Sequence, residues 1–230
     1  DANNAYKTAG LSANEYMNTV TSFSASLISS LNGDTEAAAR AANQAIVDMS
    51  DNANKMGTDM SLIQSAYQGF AKQNYTMLDN LKLGYGGTKT EMERLLKDAE
   101  KISGVKYDIS NLNDVYSAIH VIQTEMGITG TTAAEAEKTI SGSANAMKSA
   151  FENLLTGFGN ADADMQVLVK NLADSLNTVI KNITPVLNNI VSVLPTVLDA
   201  LLGAIGQMLP TLLEAVTELF SSLLETILNL

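Results

Sequence analysis

The sequence has no cysteine and a single histidine, His120, in 230 residues. That removes a disulfide framework, a thiol nucleophile and a thiolate metal site, and it leaves a zinc enzyme without its usual ligands. Positive charge is scarce too, with 14 Lys and Arg against 25 Asp and Glu and a net charge of -11. Nucleic-acid affinity rests mainly on cationic neutralisation of phosphates, so no specific nucleic acid is expected as a partner. No residues nominate themselves for a cofactor, a metal or a catalytic role, and the expectation is a protein that is not an enzyme. What is abundant is apolar: 46% hydrophobic residues supply a core for one large domain or two modest ones and argue against intrinsic disorder.

Charge is distributed unevenly. Residues 165 to 230 hold only Lys170, Asp174, Lys181, Asp199, Glu214, Glu218 and Glu225. All three prolines, Pro185, Pro195 and Pro210, also fall in this segment, where they are expected to act as helix breaks. Gly, Asn and Asp cluster just before it, which predicts a helical region over 1–158, a linker over 159–164 and an apolar amphipathic segment over 165–230. The chain begins at Asp1 and stops within a helical pattern, and it reads as a piece of a longer protein. No basic stretch followed by an apolar run stands at its start.

The first region reads as short helices with strong punctuation. Ser12 with Glu15 forms an S-x-x-E capping box, and Val20, Phe23, Leu27 and Leu31 follow at helical spacing up to Asn32 and Gly33. Asp34 or Thr35 caps an Ala-rich helix towards Lys55, with Gly57 as its terminator, and a third helix spans Met60 to Gln73. Thr88 and Glu91 form a second capping box for a helix to Ser103, ended by Gly104. Further helices fit Leu112 to Met126 and Ala133 to Leu155, the latter opened by Thr132 and Glu135. Regular β alternation is missing apart from a short extended candidate at Val105 to Ile109, so the fold class is all-α.

Several features imitate functional motifs. Gly84 to Thr90, GYGGTKT, lacks the P-loop spacing and the glycine before its lysine, and reads as an interhelical turn. His120, without a second histidine, is expected at a core edge or an interface. Asp162 and Asp164 start like a calcium loop but lack its later Gly and closing Glu, and read as solvated linker. The ten methionines are expected to fill irregular gaps in the core. Glu91 with Glu93, and Asp98 with Glu100, lie on different sides of a helix and offer no paired-carboxylate geometry.

The most informative pattern is in the last segment. Leu168, Leu172, Leu176, Val179, Ile183, Leu187, Ile190, Leu194, Leu198, Leu201, Ile205, Leu209, Leu212, Val216, Leu219, Leu223, Ile227 and Leu230 follow one another in steps of three or four. Their mean step of about 3.65 residues matches the helical period. Leu202, Leu213, Phe220 and Leu224 widen the stripe beyond a dimeric heptad seam, so another surface is expected to cover it. An internal repeat accompanies it: LPTVLDALLGAIGQM at Leu194 to Met208 is followed by LPTLLEAVTELFSSL at Leu209 to Leu223. No polar turn cluster flanks Pro195 or Pro210, which favours kinks or abrupt joints over antiparallel hairpins. Asn182 to Leu213 carries one ionisable residue, Asp199, but no run of about 20 apolar residues. Packing against copies of itself or a surrounding protein wall is therefore favoured over membrane insertion.

Three segments carry a family resemblance: LSANEYMNTVTSFSASLISSL (Leu11 to Leu31), the run from Ser50 to Leu96 that contains GYGGTKTEMERLL, and GTTAAEAEKTISGSANAMKSAFENLLTG (Gly130 to Gly157). In this order they resemble the central region of phage tail tape measure proteins over about residues 3 to 158, and the LP repeats are similar in kind to hydrophobic segments further along such proteins. The resemblance implies a structural virion protein that lies in the tail tube, templates tube length and leaves ahead of the DNA. It implies other copies of itself, tail tube proteins and tail tip proteins as partners. In some members the hydrophobic part helps open a route through the host membrane. A fully helical chain of this length would reach only about 345 Å, so this piece corresponds to the helical region and adjoining apolar segment, not to the measuring rod. It lacks the peptidoglycan hydrolase modules that some members carry.

Overall fold

The computed structural model describes residues 1–229. Among these the chain is all-α. A 3-10 turn at Ala2–Asn4 leads into α1 (Ala5–Thr8), α2 (Ala13–Thr21), α3 (Ser24–Ser30), α4 (Thr35–Met56) and α5 (Met60–Phe70). After a second 3-10 turn at Leu78–Leu81 come α6 (Lys89–Ser103), α7 (Leu112–Glu125), α8 (Thr131–Lys138), α9 (Ile140–Phe158) and α10 (Met165–Leu228). Val105 to Ile109, the extended candidate, is irregular chain that ends in a turn.

Most helix starts follow from local side-chain chemistry. The Ser12 hydroxyl accepts from the Glu15 amide while the Glu15 carboxylate accepts from the Ser12 amide at 2.9 Å, which completes the capping box of α2. Asp34 accepts from the Ala37 amide at 2.9 Å to open α4, and Gly57 closes it in the left-handed conformation at φ 63°. The box expected at α6 forms by half. Thr88 accepts from the Glu91 amide, but the Glu91 carboxylate turns to the Gly86 amide at 3.1 Å and to Arg94.

Two expected helices are each divided. The helix from Ser12 to Leu31 breaks at Phe23, where the Ser22 and Phe23 amides bond three residues back to Thr19 and Val20. This tightened turn swings Phe23 into the core, where its ring meets Tyr116 edge-on at 5.6 Å. The helix from Ala133 to Leu155 breaks at Thr139. Its extended backbone ends α8, and its hydroxyl accepts from the Gly142 amide at 2.9 Å to open α9. Gly142 lies against the Glu135 and Ala136 backbone of α8, and a Cβ there would overlap it. Gly142→Ala is therefore expected to cost about 1–3 kcal/mol as overpacking, read as a lower urea midpoint with unchanged slope.

The described chain divides into two units, Asp1–Asn182 and the residues from Ile183 onward. In the first, α4 touches α2, α3, α5, α7 and α8 and forms the axis of the core. Ile46 and Met49 of α4 are fully buried with Tyr67, Leu78, Leu81, Met92 and Leu95. The methionines do not all fill gaps: Met49 and Met92 are in the core, whereas Met17, Met77, Met126 and Met208 are exposed.

The expected boundary at 158 to 164 is not where the compact unit ends. Residues 159 to 164 form a turn in which the Asp164 carboxylate accepts from the Val167 amide at 3.1 Å, capping α10. The first part of α10 then runs back along α9. Leu168 meets Gly157, Leu172 packs on Tyr6, Ala146 and Ala150, and the Asn182 amide donates to the Thr139 carbonyl at 3.0 Å. The drop in charge thus marks the start of a helix whose first 18 or so residues, about five turns, belong to the first unit.

Candidate functional site

The second unit is the continuation of α10. Pro185, Pro195 and Pro210 lie inside the helix, which continues through all three, so they do not end it, and the segment is the one long helix with internal prolines, not the separate joints, of the two arrangements the sequence favoured. Each proline withholds one amide from the carbonyl four residues earlier, at Lys181, Val191 and Gly206.

Every residue from 184 to 229 is exposed. The twelve stripe positions from Leu187 to Ile227 lie between 46% and 71% exposed. Earlier positions behave differently. Leu168 and Leu172 are partly buried by their own chain, Val179 and Ile183 are half-buried, and Leu176 is exposed. The predicted self-association stripe therefore loses Leu168 and Leu172 to internal packing and is free from about Leu187. Leu230 lies outside the described residues.

At about 100° per residue, the three prolines fall within an arc of roughly 80°, with Pro185 and Pro210 on the side of the helix opposite the stripe and Pro195 at the stripe's flank. Asn188, Asn189, Ser192, Thr196, Asp199, Gln207, Glu214 and Glu218 share that polar side. A proline bends a helix away from its own side because its ring crowds the preceding turn, so curvature at Pro185 and Pro210 leaves the apolar face concave.

The size of this face is informative. About 46 residues from Ile183 to Leu228 make a helix about 69 Å long, and half the surface of a cylinder about 10 Å across is roughly 1,100 Å². The largest apolar patch on an ordinary monomer is about 300–600 Å², and a stable interface uses about 800 Å² per partner. A second, shorter exposed row on α9, Phe151, Leu155 and Phe158, was not visible in the sequence, because α9 is apolar on two sides and turns its small residues, Ala146, Ala150 and Gly157, inward.

In the first unit two carboxylates are buried together on α4. Asp48 and Asp51 of α4 are 1% and 0% exposed. The His120 Nδ1–H of α7 donates to Asp48 at 2.8 Å, at the core edge. The Asp51 carboxylate accepts from the Gly130 amide at 2.6 Å and the Thr132 amide at 2.8 Å, so it caps α8 from a distant helix. This replaces the start expected from Thr132 and Glu135.

Burial pushes the Asp48 carboxyl above its ordinary range, with the His120 bond opposing and the Asp51 charge adding. The Asp48 bond raises the His120 imidazole against a smaller effect of burial. Both groups hold protons more tightly folded than unfolded, so both contribute stability that is lost as pH rises. For His120 the loss begins above its ordinary value of 6.5 and is complete above the raised folded value. Melting temperature is expected to fall from pH 6 to pH 9, and His120→Gln is expected to flatten that fall.

The glycine turn is occupied by its own neighbours. Glu91 takes the Gly86 amide, and Arg94 donates to the Gly84 carbonyl at 2.8 Å and lies 4.2 Å above the Tyr85 ring. Burial, with help from Asp98, pushes the Tyr85 phenol up to about 12. Among the described residues no three His, Asp or Glu side chains come together as metal ligands. Comparison with protein-family models, with curated proteins and with solved structures returned no match.

Proposed function

We propose that this chain is part of a phage tail tape measure protein, a structural and non-enzymatic virion component in the lumen of the tail tube. Its copies associate through the free apolar face of α10, template tube length together with the rest of the parent chain, and leave ahead of the DNA. The observation that carries this reading is a 64-residue helix whose apolar face is uncovered for most of its length. Such a face in water needs a partner, and a narrow tube shared by several copies supplies one. Tail tube and tail tip proteins are the other partners. All 14 Lys and Arg precede Ile183, which leaves the exposed helix without cations for nucleic acid. Deleting one repeat, Leu194 to Met208, from the parent protein is expected to change tail length, read by electron microscopy. Unchanged tails would remove the length-template role of this segment.

A second reading is a membrane-active module that opens a route for DNA through the host membrane. It is favoured by one observation: α10 contains an 18-residue window of mean hydropathy 1.6 with no residue buried. Asp199 would then face the interior of a bundle, because an unpaired charge in lipid is costly. Leakage from liposomes, altered by Asp199→Lys, is the expected behaviour; absence of leakage at every concentration rules this reading out.

A further inference from the structure

The free face of α10 has a finer order than a helical stripe. Divided from Ile183 into four successive blocks of about 11 residues, positions 1, 4, 5, 8 and 9 of each block are apolar without exception. The first block supplies Ile183, Val186, Leu187, Ile190 and Val191. Positions 2, 3, 6, 7 and 10 are polar, Gly or Pro in every block, apart from Ala200. The prolines occupy positions 3, 2 and 6, all outside the apolar set.

Eleven residues in three turns is about 3.67 per turn, slightly more than a straight α-helix, and identical helices with this repeat coil right-handedly. Five apolar positions in eleven make a wider face than the two in seven of a two-stranded seam, so more than two helices are needed to cover it. A lipid surface requires amphipathicity but no constant repeat, whereas a bundle of equals requires the same period in every strand. The face, at roughly 1,100 Å² against about 800 Å² for a standard partner, is large enough to hold such a bundle. The four acids, Asp199, Glu214, Glu218 and Glu225, all lie at outer positions, and no cation is present there to attract an anionic bilayer.

The prolines fix the alignment. Each distorts the local twist, so neighbouring helices keep their packing only where their distortions coincide. Parallel, in-register pairing brings all three prolines of every copy to the same levels. An antiparallel alignment can match Pro195 with Pro210, but it leaves Pro185 opposite an undistorted turn.

We infer that α10 assembles with at least two further copies of this chain into a parallel, in-register, right-handed bundle on an 11-residue repeat. The inference rests on the self-association proposed above and specifies its geometry. The absence of cysteine makes the full chain a clean background for single-cysteine variants. Val186→Cys and Leu219→Cys, at inner positions, are each expected to form disulfide-linked dimers with themselves under mild oxidation. Ser192→Cys and Ser221→Cys, at outer positions, are expected to give at least about tenfold less, because a disulfide needs Cβ atoms about 4 Å apart. A mixture of the two inner variants, whose positions face each other when Pro195 is matched with Pro210 in an antiparallel pair, is expected to show little Val186-to-Leu219 pairing, and the wild-type chain to sediment at three or more chain masses. Preferential pairing of those two variants overturns the parallel alignment, and equal linking at inner and outer positions overturns the 11-residue face. A wild-type monomer at every concentration removes self-association itself, a result distinct from either.

Discussion

Replacing Asp51 by alanine is expected to destabilise the compact unit by roughly 2–4 kcal/mol, the largest effect of any single polar substitution in it. The carboxylate is fully buried and accepts from two backbone amides at the start of α8, whose own Gly130 offers no side-chain cap. Truncation leaves those donors without a partner and takes negative charge away from a helix N-terminus. Asp51→Asn keeps one acceptor and is expected to lose about half as much. An exposed cap provides the scale: Asp34→Ala should cost only about 1 kcal/mol. The measurement is urea unfolding of the three variants, and a loss at Asp51→Ala no larger than at Asp34→Ala would contradict the cross-helix cap.

The second large effect concerns assembly rather than folding. Leu201, Ile205 and Leu209 lie in the middle of the free face, each about half exposed. Changing all three to glutamine keeps good helix formers and removes three apolar anchors. At about 1.5 kcal/mol or more for each buried side chain, the dissociation constant is expected to rise by at least about a thousandfold. Gln at Asn188, Asn189 and Thr196, on the polar side, should leave it nearly unchanged. Equal behaviour of the two triple variants in sedimentation would remove the stripe as the binding face.

The legible part of this fold was the part written in neighbouring residues. Ser12 with Glu15, Asp34 and Gly57 act within one helical turn of themselves, and each is found at the helix end its chemistry predicts. The divided helices were not legible because their breaks are tertiary. Phe23 leaves the helix to reach Tyr116, and Thr139 separates α8 from α9 so that Gly142 can approach the α8 backbone. The cap of α8 was invisible because Asp51 is 79 residues from Gly130. The apolar face was legible in full because periodicity is a local property. Where the free face begins was not, since only the folded unit reveals that Leu168 has Gly157 and Leu172 has Tyr6 for neighbours. The prolines were legible only as a choice between a kink in one helix and an abrupt joint between two, because the lost amide and the ring clash are local costs, whereas α10 continues through all three.

These elements make a compact helical unit with a long helix whose apolar side is turned to water. The central claim is that copies of the same chain cover that side. Sedimentation of the full chain in detergent-free buffer, from about 1 to about 100 µM, tests it most directly. The expected result is a mass that rises with concentration to at least three chains, with no further change on adding detergent-free lipid vesicles. A monomer at every concentration in buffer, with the chain moving wholly onto the vesicles when they are added, would contradict it.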